Sequence, residues 1–126
     1  MDESIVDTIK AMLGIGIDDT AFDAEIINHI NATLMTLNQL GLGKSTGLRI
    51  SGSVNTWAEF YGDTTSSPIY DVTSYVFLKV KTLFDPPSSS FVLEAMDRQA
   101  KEYEWRLNVF VDHKPVVTTP TEVDDG

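Results

Sequence analysis

The residues with the best claim to chemistry are Gly41-Leu42-Gly43-Lys44-Ser45, because Gly-Lys-Ser is how a phosphate-binding loop closes. That loop also needs a glycine five positions before the second one, and Asn38 stands there. It must follow a strand and open a helix, so that main-chain N–H groups converge on the phosphate. Here the segment follows a helical pattern and opens a loop. Asp18, Asp19 and Asp23 are acids that a hard cation would favour. The alternating oxygen ligands and closing glutamate of a calcium loop are nevertheless absent, and helix capping accounts for the acids. His29 and His113 are the only histidines. Neither has a second His or a Cys at ligand spacing, and nothing places either as the base for a serine nucleophile. The expectation is therefore no catalytic residue, no metal, no cofactor and no enzyme. A small P-loop-like hydrolase using Gly43-Lys44-Ser45 is the rival from that class.

Large aromatics are the better lead. Trp57, Phe60, Tyr61, Trp105 and Phe110 are either core residues or anchors for a partner, since such side chains supply contact area at interfaces. They are the candidate subunit or partner interface. Trp105 stands out because it sits off the apolar row of its own segment.

The elements that must position these residues are helical. Ile69, Val72, Val76, Val80 and Leu83 recur at spacings of three and four, after a Ser67-Pro68 start that suits a cap and first turn. Tyr70, Tyr75 and Phe77 widen that stripe beyond what one partner helix needs. Pro86 and Pro87 remove two donors and end the helix by Asp85, and one of the following serines caps the next. On this second long helix Val92, Met96, Gln99, Tyr103, Leu107 and Phe110 form the inward row. Its outer side carries Glu94→Arg98, Asp97→Lys101 and Glu102→Arg106, acid-before-base pairs each contributing about 0.2–0.5 kcal/mol. The short connection makes the two helices an antiparallel hairpin.

Earlier in the chain, Ile5, Ile9, Met12 and Leu13 share one side of a short helix that Gly14 and Gly16 punctuate. Thr20 with Asp23 resembles a weak capping box before Phe22, Ile26, Ile30, Leu34, Leu37 and Leu40, a helix of about five turns that Gly41 stops. Residues 42–55 read as a mobile loop, with room for a brief strand at Leu48-Arg49-Ile50. Thr56-Trp57-Ala58-Glu59 is a capping box opening one or two turns, which must dock on the core or on another molecule. The pattern expects an all-α bundle of about four helices in a single domain over residues 1–110. Residues 111–126 follow as a flexible acidic tail.

The chain has 126 residues, a formal net charge of −10 and no cysteine. Disulfides and thiol chemistry are thereby excluded. The charge opposes general adhesion to nucleic acid, which relies on Lys and Arg displacing counterions. No apolar run approaches the ~18 residues of a membrane span, and the acidic start Met1-Asp2-Glu3-Ser4 is no secretory signal.

The sequence resembles the head-to-tail connector (head completion, or adaptor) proteins of long-tailed bacteriophages from Met12 to Asn108. The resemblance rests on Asp18-Asp19-Thr20-Ala21-Phe22-Asp23 with Glu25-Ile26-Ile27, on residues 34–41 (Leu34 to Gly41), and on Thr56-Trp57. Above all it rests on Leu83-Phe84-Asp85-Pro86-Pro87-Ser88-Ser89-Ser90-Phe91-Val92-Leu93 leading to Glu104-Trp105-Arg106-Leu107-Asn108. It implies an all-α structural protein that forms a homo-oligomeric ring below the portal of the filled head. Such a ring extends the DNA channel without specific DNA binding and offers a docking surface to a tail or stopper protein. The implied place is the head–tail neck of the virion, assembled in the bacterial host cytoplasm, with no membrane involved. The alternative from another class is a monomeric helical module that binds a peptide in a groove.

Overall fold

Ser4 opens α1 (Ile5–Leu13), its hydroxyl accepting from the Asp7 N–H at 3.2 Å. The computed structural model describes residues 3–43, 47–61 and 69–112. Its helices continue with α2 (Asp23–Gln39), α3 (Trp57–Tyr61), α4 (Ile69–Phe84) and α5 (Ser90–Asp112). The protein is all-α, as the apolar periodicities predict, and the sole strand-like pairing among the described residues is one antiparallel bridge between Ser4 and Thr56. Two bonds form it, from Ile5 N–H to the Asn55 carbonyl and from Trp57 N–H to the Glu3 carbonyl, both 3.1 Å. No strand forms at residues 48–50.

Helix α4 is the hub and packs against α1, α2 and α5. That explains its wide stripe: Val72, Tyr75, Val76, Leu78 and Val80 are all buried. Around them lie Ile5, Val6 and Ile9 from α1, Ile26, Ile30, Leu34 and Leu37 from α2, and Leu107 from α5. The stripe differs from expectation at its end, where Leu83 is exposed and Phe84 turns in. Ser67-Pro68 lies outside the described residues.

The hairpin stop falls where two prolines require it, with α4 ending at Phe84. Ser89 caps α5, accepting the Val92 N–H at 3.3 Å. On α5 two members of the expected row are corrected. Val92 and Gln99 are exposed, and Ala100 is the buried residue between Met96 and Leu107. At about 100° per residue Ala100 lies about 20° from fully buried Leu107 while Gln99 lies about 80° from it, and the small side chain of Ala100 lets α4 approach. Of the surface pairs, Asp97–Lys101 closes at 3.2 Å and Glu102–Arg106 at 2.7 Å, while Glu94 and Arg98 form none among the described residues. Helix α5 also runs two residues past the expected domain edge at 110, and Val111 packs against the core.

Two further details depart from the pattern. Phe22 stands at the N-cap of α2 with no side-chain cap bond, so Thr20 does not cap it. Asp23 instead meets Lys10, whose ammonium is 2.9 Å from Asp23 Oδ1 and donates to the Ile17 carbonyl at 3.2 Å. Lys10 is 1% exposed, so this pair ties the 14–22 connection to both helices. Asp23→Ala would strand a buried cation, and because Asp23 is partly exposed the expected loss is about 2 kcal/mol. Lys10→Met, which removes the charge itself, should change stability by less than about 1 kcal/mol. Urea melts of both variants check the contrast.

Candidate partner-binding surface

The five aromatic candidates separate cleanly. Trp57, Phe60 and Tyr61 are 3%, 1% and 4% exposed, so α3 docks on the core of its own chain. The capping box holds it there, with the Glu59 N–H on the Thr56 hydroxyl at 3.2 Å and the Glu59 carboxylate taking the Asn55 amide at 3.0 Å. The Trp57 indole N–H donates to the Thr8 hydroxyl at 3.2 Å, and the Phe60 and Tyr61 rings meet edge-on at 5.3 Å. Phe110 is half-buried against the core. Trp105 is 66% exposed. Lying nine residues, about two and a half turns, beyond Met96, it points opposite to the buried row.

A second exposed group gathers at the hairpin bend. Phe91 is 74% exposed, and Leu83, Val92 and Phe22 are also open. Phe22 is drawn there by an edge-on contact with Phe84, ring centroids 5.4 Å apart. Periodicity had assigned Phe22, Leu83 and Val92 to core stripes. The available signal was their place in the first or last turn of each stripe, where a helix outruns its neighbours. Phe91 and Trp105 are fourteen residues apart, about 21 Å along α5, so the helix carries an apolar cluster at its start and a single exposed indole near its end, with charged residues between them.

The glycine-lysine segment has a packing explanation. Gly43 has φ +79°, and a Cβ there would lie 2.9 Å from both the Phe60 carbonyl oxygen and its ring. The glycine is where two segments nearly touch. Lys44 and Ser45 lie outside the described residues, as does His113. His29 is half-buried in α2, its Nε2 3.5 Å from Glu25. Among the described residues no cluster of three His, Cys, Asp or Glu could hold a metal.

Two tyrosines are perturbed. Tyr75, buried between α4 and α5, donates to Glu104 Oε2 at 2.6 Å. Burial first, then the Glu104 hydrogen bond and charge, push its hydroxyl above the ordinary value of 10. Burial alone raises Tyr61, whose hydroxyl has no partner among the described residues. Both stay protonated in the fold while the unfolded chain ionises near pH 10. Their stabilising effect is thus complete below pH 10 and lost as pH rises through the folded values. Each should steepen alkaline unfolding by about 1.4 kcal/mol per pH unit. Melts at pH 9 and 11 should show a smaller difference for Tyr75→Phe than for the parent chain.

Between α2 and residues 47–50 lies a groove of about 310 Å³, lined by Asn31, Leu34, Met35, Asn38, Leu48 and Arg49. Buried Asn31 sets its far end, receiving the Ile50 N–H at 2.7 Å and donating to the Ile50 carbonyl at 3.0 Å.

A family model described as "Phage connector protein" matches residues 5–114. No curated protein and no solved structure matches the chain.

Proposed function

This chain belongs to the phage connector protein family, a structural family of the virion, and from that premise we propose that it is a ring-forming adaptor between the portal of the filled head and the tail. It acts without catalysis, binding copies of itself, the portal and a tail or stopper protein. The observation that carries this reading is the pair of exposed apolar sites on α5, the cluster at Phe91 and the indole of Trp105. A closed ring needs a heterologous contact, in which one patch meets a different patch on the next copy. Two unlike sites on one rigid helix supply that, while the core holds itself together without either. The net charge of −10 further suits a channel wall that DNA passes without sticking.

Trp105→Ala tests the reading. Its side chain is open to solvent, so the melt should move by less than about 0.5 kcal/mol. As an interface anchor it should weaken ring formation on purified portal by about 30-fold or more. Light scattering and negative-stain images of the mixture read the outcome. Unchanged assembly removes Trp105 from the interface, and a parent chain that stays monomeric with portal would favour the peptide-binding module.

A further inference from the structure

We propose that the groove between α2 and residues 47–50 is the docking site for the C-terminal segment of the same chain, residues 113–126. The groove is a built feature. Asn31 is 7% exposed and grips both main-chain groups of Ile50, as an opposed strand residue would. It therefore fixes the wall at that residue. The neighbouring Leu48 and Arg49 make no main-chain hydrogen bond among the described residues. The wall thus offers peptide N–H and C=O groups, which an extended peptide satisfies best. Opposite them Leu34 forms an apolar floor, and Met35 on the rim is 60% exposed.

The position where α5 ends selects the occupant. Val111 lies so close to Gly41 that a Cβ on that glycine would sit 3.0 Å from Val111 Cγ1. Helix α5 therefore ends beside the C-terminal end of α2. From Gly41 back to Leu34 is seven helical residues, about 10 Å. Val116 and Val117, four and five residues past Asp112, reach up to about 14–18 Å if extended. The run Val116-Val117-Thr118-Thr119 is β-branched throughout, which favours extended backbone, and Pro115 and Pro120 bracket it. Glu122, Asp124 and Asp125 follow, and exposed Arg49 on the groove supplies the complementary charge. Length, side-chain type and charge thus agree on this segment.

The absence of cysteine makes the test direct, since Met35→Cys with Val117→Cys would carry the only two thiols. Treated with diamide, the full-length double variant should form a disulfide within the monomer, at a rate independent of protein concentration. A short flexible tether alone gives such a pair an effective concentration of order mM, so docking is read as a rate above that of the undocked tether. The control pair is the same two cysteines in a chain with Val116, Thr118 and Thr119 changed to glycine, which keeps the tether and removes the extended segment; it should react at least about tenfold more slowly. Equal rates in the two chains overturn the proposal. So do products that are dimers alone, which would give the groove to the tail of a second copy. Independently, ending the chain at residue 112 should speed hydrogen exchange at the Leu48 and Arg49 amides by about tenfold or more while α1 and α4 keep their protection. Unchanged exchange at those amides also sinks the assignment.

Discussion

Trp57→Ala is expected to lower stability by about 3–5 kcal/mol, the usual cost of deleting a buried indole. Trp57 is 3% exposed and opens a helix of five residues, far too short to persist without tertiary support. Its ring is that support. Its N–H reaches Thr8 on α1, and its main-chain N–H closes the bridge to Glu3, so one residue joins the first and third helices. The alanine variant leaves a cavity beneath α3 and leaves the Thr8 hydroxyl without the indole. Thermal melts should fall by about 15 °C or more for a domain of this size. Trp57→Phe should recover most of the loss, because it restores packing while still lacking the hydrogen bond. Assembly should weaken only in proportion to the folded fraction, the opposite of what Trp105→Ala should do. A Trp57→Ala protein that melts within about 1 kcal/mol of the parent would show that α3 is held by other contacts.

Gly43→Ala is the second large effect, expected to cost about 2–4 kcal/mol. Two penalties combine. A left-handed backbone at φ +79° costs an L-residue with a Cβ about 1–2 kcal/mol. The added methyl then meets the Phe60 carbonyl and ring at 2.9 Å, and forcing atoms into a packed core costs about 1–3 kcal/mol. The carbonyl is backbone and cannot swing aside as a flexible side chain would. Gly47→Ala is the control. It has the same φ of +79° but among the described residues its Cβ would meet only Asn38 Oδ1 and Cγ at 3.6 and 3.8 Å, so it should lose the conformational part alone. Urea denaturation of the two variants separates strain from collision. Equal losses would mean that Phe60 can retreat from Gly43.

These two residues also show what a linear reading can and cannot reach. The helices were legible because burial on one side imposes a period near 3.6 residues, and α2, α4 and α5 are long enough to display it. The stop at Pro86-Pro87 and the end at Gly41 were legible for local reasons, missing donors and positive φ (here +103°). Inward against outward was harder. Ala100 is buried by virtue of being small, which no hydropathy stripe signals, and Val92 is apolar yet exposed in the first turn of α5. Gly43 resembled part of a nucleotide motif from its neighbours in sequence. Its actual constraint is Phe60, seventeen residues later. Asp23 looked like a helix cap and is the counter-ion of a lysine thirteen positions earlier. Of the candidate interface residues, Trp105 was separable because it lies half a turn from a recognisable row. Trp57, Phe60 and Tyr61 gave no such cue, since a five-residue helix is too short to show which side faces in.

The bridge between Ser4 and Thr56 bears on how the protein is made. The opening helix has no cover of its own: Ile5, Val6 and Ile9 rest in the final structure on segments that include α4. A ribosome adding about 5–20 residues per second needs roughly 4–15 s to travel from there to Val80. Throughout that interval Ile5, Val6 and Ile9 lack the part of their cover that α4 supplies, and α2 is the first helix made that can shield them.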